Sequence, residues 1–167
     1  LDANDAALQT VLASYLVGST SPVYKELVLD KQSVQQLAGD PSMHRDPHLF
    51  SLMAVLNDEK ALTPVRSSLN AAIKELVTGK VDAARVEAIK SNTRYELLMG
   101  METAKSVGTQ VAWFTGVYGA PDALAQHYRK VSEVKPGELV TFARRYLTAA
   151  NRTVLTLTTA AQPGGSK

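Results

Sequence analysis

A continuous helical pattern between Val81 and Gly119 constrains the fold more than any other part of this chain. The segment reads VDAARVEAIKSNTRYELLMGMETAKSVGTQVAWFTGVYG and contains no proline. Its apolar residues recur at steps of three and four, which is the period of one buried helix face. Gly100 interrupts the pattern, so we expect either two helices or one kinked helix, with the other elements packed around it. The positions that follow this period are Val86, Ile89, Lys90, Thr93, Leu97, Val107, Val111 and Phe114.

The composition indicates a single globular domain. The chain has 167 residues, of which 45% are apolar and 20% charged, and it is long enough to bury a substantial core. The net charge is +2 and the basic residues are scattered, so we expect no nucleic-acid interface. No apolar run approaches the ~20 residues of a membrane span. The absence of cysteine excludes disulfides and thiolate metal sites. The chain begins at Leu1 without a signal peptide, which predicts a processed product or an excised piece of a longer protein.

Helix start and stop signals predict the remaining helices. Ser21 and Thr63 each precede a proline, as an N-cap residue does before proline at the first helical position. Asp82 is the predicted N-cap of the long run, and Gly18 and Gly79 are predicted stops. The predicted helices outside the long run span residues 5–17, 21–30, 63–78, 122–130 and 136–146.

Three segments are typical of β-strands. Residues 31–39 and 49–56 flank a connection rich in turn residues, GDPSMHRDP, and are predicted to form an antiparallel hairpin. Residues 151–159 are rich in β-branched side chains and are the third predicted strand. The fold class is therefore α+β, with helices on one face of a small, mainly antiparallel sheet. We expect residues 1–159 to form one domain and residues 160–167 to be a disordered tail. Such a sheet keeps an open edge unless a missing strand or a partner covers it.

The candidate catalytic and metal-binding residues of this sequence favour a domain without its own active site. His44 and His48 are four residues apart, a spacing that converges on zinc when both lie on a helix. Pro47 and the surrounding turn residues exclude that helix, so two solvated loop histidines are favoured. His127 lies on a polar stretch and is interpreted as a surface or half-buried residue rather than a base. We therefore predict no catalytic residue and no metal ligand in this chain.

An ordered set of short motifs resembles one peptidase family. The residues that carry the resemblance are Ser21–Val28 (SPVYKELV), Asp46–Ala54 (DPHLFSLMA), Lys90–Asn92 followed by Arg94-Tyr95, Val131–Leu139 (VSEVKPGEL), and Ala143–Thr148 (ARRYLT) leading to Asn151–Val154 (NRTV). Together they resemble the second domain of bacterial pitrilysin/insulinase-type zinc peptidases, the inverted zincins, which are relatives of the mitochondrial processing peptidase. The resemblance extends over most of the chain, from about Leu8 to Leu157.

The resemblance implies a division of labour between two similar α+β domains that clamp an unfolded peptide. Zinc is held in the first domain by an H-x-x-E-H helix and a downstream Glu, and the motif Glu acts as general base on the zinc-bound water. This chain contains no H-x-x-E-H and is similar to the metal-free second domain, without the strand that usually precedes its first helix. We therefore expect no cofactor in this chain and zinc in the paired catalytic domain.

Some members of the family place an Arg and a Tyr from the metal-free side into the cleft. When Glu26-Leu27 is aligned with their motif, those positions fall on Val28 and Gln35, so the pair is absent. A direct role in transition-state stabilisation is therefore not assigned to this chain. The candidate substrate contacts are instead Tyr24, Lys25, Arg94 and Tyr95.

Two candidate functions follow from the resemblance, and a third is independent of it. The first is the non-catalytic, substrate-clamping C-terminal domain of a zinc metallopeptidase that cleaves peptides or unfolded proteins. The second is a catalytically inactive partner or scaffold subunit of the same family. The third is an unrelated α+β binding domain. The expected partners are a zinc-bearing homologous domain, a peptide substrate and a second copy of the chain at the exposed sheet edge. The resemblance suggests the bacterial periplasm or another exported compartment.

Overall fold

The computed structural model describes residues 3–41, 43–46 and 48–158, and in this part helices accompany one two-stranded antiparallel sheet. This arrangement confirms the predicted α+β class. The predicted tail at 160–167 lies outside the described residues. The elements are α1 (Ala3–Val17), α2 (Pro22–Tyr24) continued by a π-helical turn (Lys25–Asp30), β1 (Val34–Asp40), β2 (Ser51–Leu56), a 3-10 turn (Glu59–Ala61), α3 (Leu62–Val77), α4 (Ala83–Met99), α5 (Ala104–Tyr118), α6 (Ala123–Glu133) and α7 (Pro136–Tyr146).

Helix α1 is the central element of the fold. It contacts β1 and helices α2, α3, α4, α6 and α7. Its side chains are buried around the whole circumference, as expected of a helix that lies inside a core. The expectation that the other elements pack around Val81–Gly119 is therefore wrong. The buried residues of α1 are Ala6, Ala7, Leu8, Gln9, Val11, Leu12, Ala13, Tyr15, Leu16 and Val17.

The long helical run forms two helices, which confirms one of the two predicted alternatives. Helix α4 ends at Met99, and α5 begins after Thr103, whose hydroxyl accepts a hydrogen bond from the backbone N–H of Ser106. This N-cap starts a new helix with its own direction. Val86 and Ile89 of α4 reach the main core, whereas Phe114 of α5 belongs to a second cluster with Ala123 and Leu124 of α6. Trp113 is 44% exposed.

Two of the three predicted N-caps are confirmed. The Ser21 side chain accepts from Tyr24 N, and the Asp82 side chain accepts from Arg85 N. The third, Thr63, lies inside α3, which begins at Leu62. The reason is the preceding 3-10 turn: its own cap, Asp58, accepts from Lys60 N and starts the helical geometry earlier.

The predicted hairpin is confirmed. Strands β1 and β2 pair antiparallel from Val34↔Leu56 to Asp40↔Ser51, with a bulge between Val34 and Gln36. One face of the hairpin packs on the core, to which it contributes Val34, Leu37, Leu52, Ala54 and Leu56.

The predicted third strand is wrong over the residues described there, 151–158, which form no strand. High β-propensity needs a neighbouring strand for its hydrogen bonds, and no strand of the described chain lies alongside. Leu155 and Leu157 are 80% and 87% exposed. The segment is attached through Arg152, whose side chain donates to Asn70 Oδ1 of α3. Thr159, its last predicted residue, lies outside the described part.

Gly39 allows β1 to approach α1 closely, which leads to a stability prediction. A Cβ at Gly39 would lie 3.0 Å from Ala13 Cβ and 3.1 Å from Val17 Cγ2. Gly39→Val should therefore push the strand from the helix and lower the free energy of unfolding by about 1–3 kcal/mol. Chemical denaturation measures this difference.

The matched control is Gly108→Ala in α5, where an added Cβ meets no atom within 4 Å. Because alanine favours the helix over glycine, this variant should keep or raise the stability by up to about 1 kcal/mol. Equal stability of Gly39→Val and the wild type would contradict the close packing of β1 on α1.

Candidate functional site

The β1–β2 hairpin presents an apolar surface to solvent. The cross-strand pairs Gln36↔Val55 and Ala38↔Met53 form its outer side, which we call the open face. Met53 is 50% exposed and Val55 38% exposed. Within the described residues no third strand pairs with either edge of the hairpin. The outer strand edges therefore offer backbone N–H and C=O groups to another extended chain.

The connection between the strands gathers three side chains that are separated in sequence. Asp40 ends β1, and His44 and His48 lie in the loop that follows. The two imidazole rings have a centroid separation of 4.1 Å and an interplanar angle of 33°. One potential ligand atom from each of the three side chains lies within 4.8 Å of the other two, and all three residues are exposed. The loop thus brings His44 and His48 together without the helix on which the sequence argument for zinc depended. No motif in the sequence singles out Asp40.

A groove lies between α1, α2, α3 and the start of α4, with a cavity volume of about 410 Å³. Its lining is mixed in charge, so it does not select for an anion or a cation. The polar side chains that line it are Tyr15, Glu26, Ser67, Ser68, Glu75, Lys80 and Arg85. Sequence reasoning did not identify this groove, because its lining comes from four separate elements.

Arg85 in this groove joins α4 to the central helix. Its guanidinium carbon lies 3.6 Å from the centroid of the Tyr15 ring, and Nη2 donates to the Tyr15 carbonyl oxygen. The Tyr15 hydroxyl in turn accepts from Asp82 N at 3.0 Å. Two side chains thereby fix the start of α4 against α1. Arg85 Nε is buried and has no hydrogen-bond partner among the described residues, so none of them uses this donor in the groove.

His127 is 3% exposed, in contrast to the predicted surface or half-buried position. It lies on the face of α6 that meets α1 and α5, where its ring centroid is 5.3 Å from that of Phe114. Its Nε2 lies 3.5 Å from Thr10 Oγ1, while Nδ1 has no hydrogen-bond partner in the described part of the chain. A neighbouring cavity of about 160 Å³ is bounded by His127 and by Tyr118, whose hydroxyl also lacks a partner there. Desolvation lowers the pKa of His127 to about 4, so the ring is neutral at pH 7.

The four candidate substrate contacts lie on two helical segments. Tyr24 ends α2 and packs partly against the core, and the next residue, Lys25, is exposed. Arg94 and Tyr95 are exposed on the second half of α4, and Tyr95 keeps 61% of its surface. None of the four side chains makes a hydrogen bond or ion pair with another described residue. Lys25, Arg94 and Tyr95 are exposed and Tyr24 is half-buried, and none of the four belongs to the open face or to the Asp40–His44–His48 cluster.

Comparison with known proteins identifies a likeness of fold. No protein-family model matches the chain, and no curated protein matches it. The chain is similar in structure to a protease from Helicobacter pylori, solved by crystallography. The TM-score is 0.71 at 21% sequence identity, over 87% of this chain and 35% of that one. The likeness shows a shared fold. The chain spans about a third of the length of that protease.

The helices of the described part do not have the character of membrane spans. No helix in it combines the length and the apolar composition that crossing a bilayer requires. This agrees with the expectation of no membrane span.

The buried His127 predicts a specific dependence of stability on pH. Its pKa in the folded chain, about 4, lies below the value near 6.5 of an unfolded histidine. Between these pH values the unfolded state binds more protons, so the free energy of unfolding falls as the pH drops from about 6.5 to 4. The full effect is about 3 kcal/mol.

Chemical denaturation of the wild type and of His127→Gln at pH 7 and pH 4 measures this contribution. The wild type should lose more stability than the variant over the interval. Carboxylates titrate in both proteins and cancel in the difference, including Glu26, whose pKa is lowered by the hydrogen bond from Lys31. Parallel pH profiles would show that His127 protonates as easily in the folded chain as in the unfolded one.

Proposed function

We propose that this chain is the non-catalytic, substrate-clamping domain of a zinc-dependent peptidase that cleaves peptides or unfolded proteins. The observation that carries the proposal is the shared fold with a protease over 87% of this chain. The sequence has no H-x-x-E-H, which is why we assign the zinc and the general base to a paired homologous domain. The protease extends well beyond the region that matches this chain, so the rest of its length is sufficient for such a domain.

The open face of the hairpin suits this role. A peptide in extended form can add to a free strand edge through main-chain hydrogen bonds, which do not depend on its sequence. Its side chains would then alternate between the two faces, and those on the outer side would pack on Met53 and Val55. Affinity would come from the backbone, as a clamp for diverse unfolded substrates requires. Arg94 and Tyr95 stay predicted contacts for a longer peptide, as do Tyr24 and Lys25.

The free strand edges of the hairpin are also a candidate surface for self-association. A second copy of the chain could cover a free edge as a substrate does, so peptide and self-association are expected to compete. We also place the parent protein in the periplasm or another exported compartment, on the family resemblance alone.

A catalytically inactive partner subunit is the alternative, favoured by the absence of Arg and Tyr at Val28 and Gln35. Both functions use this domain in the same way and differ in the companion domain. An intact H-x-x-E-H in the companion supports the clamp of a working peptidase. An eroded motif there supports the inactive subunit.

The test is binding of a labelled, permanently unfolded protein, for which casein is suitable. Fluorescence anisotropy should rise with added chain, and the casein should stay uncleaved on a gel. A double variant, Met53→Glu with Val55→Lys, should weaken binding at least tenfold, because charges replace the apolar contacts of the open face. Both residues are exposed, so the variant should unfold at the wild-type temperature.

Leu155→Glu is the matched control, because Leu155 is 80% exposed and lies outside the hairpin and outside the helices that carry the predicted contacts. It should bind casein as the wild type does. Cleavage of casein by the chain alone would overturn the non-catalytic assignment. If the double variant bound casein as tightly as the wild type, the open face would not be the peptide-binding surface.

A further inference from the structure

We propose that Asp40, His44 and His48 form a zinc site at the end of the hairpin. The inference departs from the expectation that this chain holds no metal. It does not depend on the peptide clamp, because the cluster joins Asp40 at the end of β1 to two residues of the connection and includes none of the four residues that define the open face.

The donor set matches the chemistry of a borderline divalent cation. Two imidazole nitrogens and one carboxylate oxygen are the three protein ligands of many zinc sites, with water in the remaining position. Hard cations such as Ca²⁺ and Mg²⁺ prefer an all-oxygen shell, which this cluster does not supply. The cation expected to bind is therefore zinc, or a neighbouring transition metal with the same preference for imidazole.

The distances are close to those that zinc needs. A tetrahedral ion with bonds of about 2.0–2.2 Å separates its ligand atoms by roughly 3.4 Å. The potential ligand atoms of the three residues lie within 4.8 Å of one another. All three residues are exposed, so the rotamer changes that would close this difference take place at the surface and not in a packed core. Zinc would thus tighten a cluster that the fold has already gathered.

The backbone places the cluster and orients one of its ligands. Asp40 pairs with Ser51 across the hairpin, so the two ends of the connection stay together. His48 Nδ1 lies 3.3 Å from the Leu49 carbonyl oxygen, to which its N–H can donate. In that tautomer Nε2 carries the free lone pair, the arrangement found in most metal-bound histidines. Bound zinc would restrain the connection between the strands and, through Asp40, the end of β1.

The first experiment titrates zinc into untagged, chelator-treated chain at pH 7.5 by calorimetry. We expect one equivalent to bind with a dissociation constant in the micromolar range. The chain has only three histidines, which makes the ligands identifiable by NMR. The ring signals of His44 and His48 should shift with zinc, and those of the buried His127 should not. Absence of binding at 100 µM zinc, or a response led by His127, would overturn the proposal.

Variants separate this site from general surface binding. His44→Ala and His48→Ala should each weaken zinc binding at least tenfold, and Asp40→Asn should weaken it severalfold. Asp46→Asn is the matched control, because it removes an exposed carboxylate from the same loop but outside the cluster. It should keep the wild-type affinity. If Asp46→Asn weakened zinc binding as much as Asp40→Asn, the loss of affinity would come from the net charge of the loop. That result would contradict the site.

The two proposals fail in different ways. Zinc should raise the unfolding temperature of the wild type and leave that of His44→Ala unchanged, whether or not casein binds. Conversely, casein binding by the metal-free chain tests the open face alone. A zinc effect on stability that persists in His44→Ala would overturn the metal site and leave the clamp unaffected.

Discussion

The burial of α1 on all sides is the constraint on which the rest of this structure depends. A helix without a polar face is stable in water only when other elements cover its whole circumference. Here β1 and five helices provide that cover. Each of these elements needs to bury only one face, so their outer faces remain free. The hairpin consequently keeps an apolar open face, since α1 occupies only its inner side.

The sequence predicts local features of this fold better than its centre. The two strands, the Ser21 and Asp82 caps and the break near Gly100 follow from short-range chemistry and appear in the structure. The longest periodic segment is not the central one, because periodicity marks a helix with one buried face. A helix buried all round shows instead the absence of a polar stripe, as between Ala6 and Val17. The missing polar stripe of α1 can be seen in the sequence, and it indicates a helix at the centre of the core.

Tertiary context explains the remaining differences. Residues 152–158 have the composition of a strand, but their state depends on a partner strand that local sequence does not reveal. His127 lies on a polar stretch, yet α6 turns it towards α1 and α5, where burial lowers its pKa. His44, His48 and Asp40 meet because the pairing of β1 with β2 closes their loop. A residue-spacing rule for helices cannot identify such a cluster. In β2, the continuous apolar run LFSLMAVL does not reveal that Met53 and Val55 lie on the exposed face, because both faces of the strand carry apolar side chains.

The hairpin joins the two proposals physically without making either depend on the other. A two-stranded sheet with free edges is marginal by itself, and here it is held by the packing of one face on α1. Its edges must stay straight and accessible to accept a peptide, whereas an unrestrained connection lets the strand ends fray. A cation held by Asp40, His44 and His48 would restrain that end, and none of these three ligands is among the four residues of the open face. The tight contact of Gly39 with Ala13 and Val17 restrains the neighbouring residue from the other side. A clamp of this kind gains affinity from preorganisation, because less conformational entropy is lost when the peptide binds.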